Sequence, residues 1–221
     1  MKILAVIPAH NEAKNIAAVT AAVKALGHDV LVVDDGSTDG TAAMAKSAGA
    51  VVLATGKKSG KGSALRVGFE HAVNNGYGAV IALDGDGQHD PRDIKAFLEC
   101  RFVTNADVIN GNRMGDPRGM PAVRLATNAF MSWVISMICG QRIPDTQCGF
   151  RFITTDVLKN IELQCSDFEI ETELLIKASK QGYKIASVPV TTIYRDEVSK
   201  IKPLRDTWRF IVYLLREFSK T

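Results

Sequence analysis

Two aspartates one residue apart, in Asp84-Gly85-Asp86-Gly87-Gln88-His89, are the part of this sequence with the clearest capacity for chemistry. Carboxylates separated by a glycine can converge on one hard cation, the glycines permitting a tight bend, and Gln88 adds a neutral oxygen. The same residues also suit an acidic turn that caps a helix starting near Pro91, so the motif needs context. Asp34-Asp35-Gly36-Ser37-Thr38-Asp39-Gly40 supplies some, because an acid after a short apolar run can accept hydrogen bonds from a ribose or a base. Asp39 reads equally well as a helix cap. Two acids directly ending a buried strand are costly without partners. Gly60-Lys61-Gly62-Ser63 is a glycine-rich helix start with a lysine beside backbone donors, suited to a nucleotide, although Thr55 and Gly62 depart from the phosphate-loop pattern. No Gly-x-Gly-x-x-Gly follows the first apolar run, which removes the dinucleotide fingerprint. A nucleotidyltransferase would carry a basic, glycine-rich loop where this chain has Pro8-Ala9-His10-Asn11-Glu12.

The elements that must position these residues follow from periodicity. Ile3 to Ile7, Val30 to Val33 and Val80 to Leu83 are non-alternating apolar runs, each ending in polar residues, which suits parallel strands covered on both faces. Helical patterns separate them: Glu12 to Leu26 behind an Asn11 cap, Thr41 to Ala48, and Lys61 to Val73 with Leu65, Phe69 and Ala72 on one face. Asp90-Pro91 opens a further helix, with Asp as the cap and Pro in the first turn. A polar loop over Asn112 to Arg118 leads to a helix from about Pro121 to Cys139, a strand at Phe150 to Ile153 and a helix from Phe168 to Lys180. A strand from Lys184 to Val190 and a final helix from Pro203 to Phe218 complete the pattern. The alternation of strands and helices is that of a doubly wound α/β sheet, whose ligands bind beyond the carboxyl ends of the strands.

Composition bounds the rest. The chain has 221 residues, 46% hydrophobic and 23% charged, enough for one large globular domain. A net charge of +3 argues against nucleic acid as a bulk partner and permits anionic small molecules or an anionic membrane surface. The N-terminus lacks the pattern of a signal peptide, and no uninterrupted apolar run is long enough to cross a bilayer. Cys100, Cys139, Cys148 and Cys165 show no zinc spacing, so reduced thiols and a cytoplasmic location are expected.

Taken in order, these segments closely resemble glycosyltransferase family 2, of the GT-A fold, and within it the dolichyl-phosphate mannose synthase branch, which acts on polyprenyl phosphates. The matching segments also include Gly111-Asn112-Arg113, Cys148-Gly149-Phe150-Arg151, Glu171-Thr172-Glu173 and Ser199-Lys200. The resemblance implies an α/β nucleotide-diphospho-sugar transferase fold, with a mostly parallel sheet flanked by helices. A single domain would span residues 1–221, with 1–110 as its nucleotide-binding half and 111–221 as its acceptor-binding half. It implies that Pro8, Glu12, Asp34, Asp35, Lys61 and Asp84 bind the nucleotide, and that Asp84, Asp86 and Gln88 hold Mg²⁺ or Mn²⁺ against the diphosphate. Arg113 and Arg124 would bind the acceptor phosphate, Ser199 and Lys200 would close over the donor, and Asp86, Arg113 and Glu171 would form the catalytic set. The implied reaction is inverting transfer from GDP-mannose or a UDP-hexose to a dolichyl or undecaprenyl phosphate. The alternative is transfer to a saccharide or other hydroxyl, which needs a base, with Glu171 and Glu173 as candidates. Residues 203–218 combine Leu204, Trp208, Ile211, Leu214, Leu215 and Phe218 with Arg205, Arg209 and Arg216, the pattern of an amphipathic helix resting peripherally on the inner face of a membrane.

Overall fold

The structure, a computed structural model, describes residues 1–193. Ser199, Lys200 and the helix expected over 203–218 lie outside the described residues. Strands β1 (Ile3–Ala9), β2 (Asp29–Asp34), β3 (Val51–Ala54), β4 (Ala79–Ala82), β5 (Val108–Asn112), β6 (Arg151–Thr154) and β7 (Ile185–Pro189) form one sheet in the order β3-β2-β1-β4-β6-β5-β7. All pairings are parallel except those of β6, which runs antiparallel to both β4 and β5. The helices are α1 (Ile16–Ala25), α2 (Thr41–Ser47), α3 (Lys61–Asn74), α4 (Ile94–Thr104), α5 (Ala122–Cys139), α6 (Thr155–Asn160) and α7 (Ile170–Lys180). The expected mostly parallel sheet between helices is therefore present.

The apolar runs are continuous because both faces of the sheet are covered. Leu4, Val6, Leu31, Val33 and Val80 pack on one side with Leu65 and Phe69 of α3 and Leu174 and Leu175 of α7. Their alternates Ala5, Ile7, Val30, Val32 and Ile81 pack on the other with Ile16 and Val19 of α1 and Phe97 of α4. The four cysteines are free.

Several local expectations change. The first helix begins at Ile16 rather than Glu12, because Asn11 adopts φ 54° and is no cap. Its Oδ1 instead accepts from the Thr38 amide at 2.9 Å, joining the loops after β1 and β2. Asparagine tolerates this left-handed conformation better than most residues. Asp90 does cap, accepting from the Arg92 amide with Pro91 in the first turn. Strands β3 and β5 and helix α6 escape the sequence reading: β3 is a partly exposed edge strand, and β5 carries Asn110-Gly111-Asn112 after only two apolar residues.

Helix α5 is not an uninterrupted apolar run, yet its 18 residues have a mean hydropathy of 1.4 and are long and apolar enough to cross a membrane by length and composition. Its inner face is fastened to the body, however. Asn128, Ser132, Ile135 and Cys139 are buried, Ser132 Oγ accepts from the Thr146 amide, and Ser136 Oγ accepts from the Ile143 amide. Its outer face leaves Val123, Phe130, Trp133 and Met137 in solvent, Val123 at 81% exposure.

Gly68 marks where α3 meets the sheet: a Cβ there would overlap the Val6 side chain in the middle of β1. We expect Gly68→Ala to lower unfolding stability by about 1–3 kcal/mol, the usual cost of overpacking. Equilibrium denaturation with urea, following the far-UV signal, measures it.

Candidate active site at the carboxyl edge of the sheet

Strands β1, β2 and β4 are parallel, so Pro8-Ala9, Asp34-Asp35 and Asp84 all emerge at one edge. Because β6 is antiparallel, it begins at that same edge, bringing Cys148-Gly149-Phe150-Arg151 there. Lys61, the first residue of α3, and Glu171, in the first turn of α7, arrive from the helical layer. Lys61 Nζ lies 2.6 Å from Asp84 Oδ1 and 2.8 Å from Glu171 Oε1. His89 Nε2 lies 3.4 Å from Asp84 Oδ2, and the His89 ring packs on Phe150. Glu171 Oε2 is 3.8 Å from Arg151, whose buried guanidinium donates to the carbonyls of Cys148, Thr146 and Glu171. Gly149 makes the meeting feasible, since a Cβ there would sit 2.7 Å from Asp84 Oδ2 and 2.9 Å from Lys61 Nζ.

The charges are unevenly compensated. Burial opposes ionisation of Asp84, yet the Lys61 ammonium and the His89 contact outweigh it and hold this carboxyl well below the usual range. Burial likewise opposes the charge on Lys61, and the two carboxylates overcome it and raise its pKa. Asp86 is different. Burial and then the charge of Asp84 push its pKa up, outweighing a backbone hydrogen bond from Gln88 at 2.9 Å and the smaller influences of His89 and Lys61. An under-neutralised carboxylate beside a second one fits a divalent cation. Among the described residues, no three or more His, Cys, Asp or Glu side chains are grouped to hold a metal by themselves. An ion here therefore fits a mode in which one or two carboxylates share it with substrate phosphates.

The other expected site residues divide. Asp35 is buried, and its carboxylate accepts from the Ser59 amide and hydroxyl, the Gly60 amide and the Thr55 hydroxyl, at 2.7–3.1 Å. Burial would raise its pKa, but these donors lower it. In this arrangement Asp35 pins the loop that leads into Lys61. Asp34 accepts from the Ser37 amide at 3.2 Å. The Glu12 carbonyl starts α1 by accepting from Asn15 and Ile16, while its amide donates to Thr41 Oγ1. Glu173, the second candidate base, is directed elsewhere: buried at 1% exposure, it accepts from the Gln164 and Cys165 amides and from Lys177. Arg124 stands in the first turn of α5.

Arg113, just past β5, directs Nε and one terminal nitrogen to Asp145, at 2.8 and 3.0 Å, and its own amide donates to the same carboxylate. Asp145, Gly149 and Arg151 received no role from the sequence. The available signal was Arg151 at the head of an apolar strand, since a charged residue there needs a buried partner. Asp145 gave no such signal, because its partner is remote in sequence. Burial would raise the pKa of Asp145, but Arg113 lowers it. The stability this pair contributes is thus present above about pH 4, the unfolded carboxyl value, and is lost as pH falls through the lower folded value. We expect Asp145→Ala to cost about 3–5 kcal/mol at neutral pH, as for a buried charge left unpaired. The gap from wild type should narrow in denaturation curves taken below that pH.

Comparison with known proteins identifies the family. Residues 4–161 match the family described as Glycosyl transferase family 2. The chain is 30% identical to the polyprenol monophosphomannose synthase of Mycolicibacterium smegmatis, over 87% of this chain and 78% of that protein. It is 29% identical to the undecaprenyl-phosphate mannosyltransferase of Micrococcus luteus, over 89% of this chain and 85% of that one. A solved structure of glucosyl-3-phosphoglycerate synthase from Mycobacterium tuberculosis, in complex with Mn²⁺, UDP and phosphoglyceric acid, shares the fold. It superposes with a TM-score of 0.72 at 19% identity, covering 95% of this chain and 74% of that one. With its family profile matched over most of its length and its charged residues gathered at the carboxyl edge of the sheet, this chain belongs to glycosyltransferase family 2.

Proposed function

We propose that this glycosyltransferase moves a sugar, with inversion, from a nucleotide-diphosphate sugar to a polyprenyl phosphate. The observation that carries the reading is the cluster of Lys61, Asp84, Asp86 and Glu171 at the carboxyl edge, in which Asp86 forms no ion pair among the described residues. Asp84 and Asp86, with the Gln88 oxygen, would hold Mg²⁺ or Mn²⁺. When bound, the ion neutralises the charge developing on the departing diphosphate. Pro8, Glu12 and Asp34 would border the nucleotide, and Asp35 would shape that pocket through the loop it holds. Ser199 and Lys200 would close over the donor.

In the transfer step an acceptor phosphate oxygen bonds to the anomeric carbon as the bond from that carbon to the diphosphate oxygen breaks, releasing the nucleoside diphosphate. The attacking phosphate is anionic near neutrality, so no base is required. Glu171 supports this acceptor over a hydroxyl, because its carboxylate lies between Lys61 and Arg151 and has two cations to satisfy. Arg113, its plane set by Asp145, and Arg124 would orient the acceptor phosphate. The names of the two mannosyl-transferring relatives favour the lipid class of acceptor.

A lipid acceptor places the protein at a membrane surface, peripherally. The outer face of α5 supports this, with Phe130, Trp133 and Met137 exposed on a helix that carries no acidic residue. Such a face can rest among acyl chains while flanking cations meet anionic headgroups.

Asp86→Ala is expected to reduce transfer by about 10²–10³, the scale seen when one transition-state charge contact is removed. The fold should remain intact by thermal unfolding. The assay offers GDP-mannose and UDP-hexoses with Mn²⁺ and a short-chain polyprenyl phosphate, scoring sugar in the organic phase. Wild-type rates in the variant, or wild-type transfer only to hydroxyl acceptors, would overturn the reading. For the membrane, co-sedimentation with anionic vesicles is expected to fall with rising salt, which shortens electrostatic range. It should also fall in Phe130→Ala with Trp133→Ala, and unchanged binding in that variant would remove α5 from the contact.

A further inference from the structure

The cation that Asp84 already holds bears on how the site loads. Lys61 Nζ sits 2.6 Å from an oxygen of Asp84, and the lysine side chain is 17% exposed. An ammonium is a compact point charge, and here it occupies the carboxylate that a divalent ion would also need. Nothing separates the two side chains, because Gly149 presents bare backbone where a Cβ would touch both. Lys61 has a second anchor in Glu171 at 2.8 Å, so it can turn away from Asp84 without losing all compensation. Glu171 is itself steadied by Arg151, whose guanidinium is tied to the Thr146 and Cys148 carbonyls just before Gly149 and to α7. Asp86 meanwhile accepts from the Gln88 amide and forms no ion pair among the described residues.

The geometry points to Lys61 as a tethered counter-ion that keeps a divalent metal off the aspartate pair until a diphosphate arrives to take over the ammonium. This rests on the donor and metal reading above and goes beyond it, since it assigns to one side chain the coupling between the two ligands. Without a diphosphate, Lys61 and the metal compete for Asp84. With a diphosphate present, Lys61 has an anion to move to, and the metal gains phosphate oxygens in addition to Asp84 and Asp86. Metal and nucleotide then favour each other by the same factor, as linkage requires. The absence of any larger ligand grouping among the described residues accords with this dependence.

The inference has Lys61→Met tighten Mn²⁺ binding in the absence of diphosphate while shrinking the enhancement by diphosphate, a combination a purely structural role would not produce. Mn²⁺ is titrated calorimetrically into the full chain, alone and with saturating GDP or UDP, for wild type, Lys61→Met and Lys61→Gln. Wild type should bind Mn²⁺ weakly alone and about 5- to 150-fold more tightly with the matching diphosphate, the usual range of coupling between sites. Both variants should bind Mn²⁺ alone more tightly than wild type while the enhancement by diphosphate shrinks. Thermal unfolding of each variant identifies the folded protein used, and either variant suffices if the other does not fold. Unchanged or weaker binding of Mn²⁺ alone in a folded variant, with wild-type coupling present, overturns the counter-ion role alone. Failure of wild type to bind Mn²⁺ even with either diphosphate overturns the donor and metal reading and this inference together.

Discussion

An ammonium held between two carboxylates, Lys61 between Asp84 and Glu171, ties together the first turn of α3, the end of β4 and the first turn of α7. Much of the surrounding architecture serves that contact. Asp35 draws in the loop that sets the start of α3, Arg151 steadies Glu171 from below, and Gly149 leaves the space in which the charges meet. Buried charges persist only when partnered, so each of these residues restricts what its neighbours can be. Arginine at 151 is backed by three carbonyls because a guanidinium in that position has no water to turn to.

The reversed strand β6 is the topological device that makes this arrangement available. A wholly parallel sheet delivers strand ends to the ligand edge, whereas an antiparallel strand inserted between β4 and β5 delivers a strand beginning as well. That is how Gly149 and Arg151, remote in sequence from Asp84, come to face it. The segment before β6 also carries Asp145, which meets Arg113 at the end of β5. The 145–151 segment thus sets both the donor-side cluster and the arginine assigned to the acceptor. It is also attached to α5, through Ser132 and Thr146. The helix that exposes Phe130 and Trp133 is therefore fastened directly to the segment that positions Arg113.

Glu171 and Glu173 show how helical phase divides neighbouring acids. Two residues apart on α7, they point to different surroundings. One enters the charged cluster, and the other closes the 164–165 turn by accepting its amides. The sequence presents them as equivalent candidates for a base. Their separation depends on which side of α7 packs on the sheet, and this is decided by Ile170, Leu174 and Leu175.

The apolar runs ending in Asp34-Asp35 and Asp84-Gly85-Asp86, with Lys61 opening a helix, determined by themselves the sheet type, the edge that carries the chemistry and the family resemblance. Those signals are local: strand periodicity and strand-end residues are read within a few positions. Strand β5 and helix α6 were not legible, because short elements with few apolar residues owe their form to neighbours already in place. The pairing of Arg113 with Asp145, the contact of Lys61 with Asp84 and the need for glycine at 149 were decided only by tertiary structure. Each joins residues far apart in the chain, and a carboxylate's partner is chosen by which side chains the packed sheet brings within hydrogen-bond reach. Sequence spacing carries no such information.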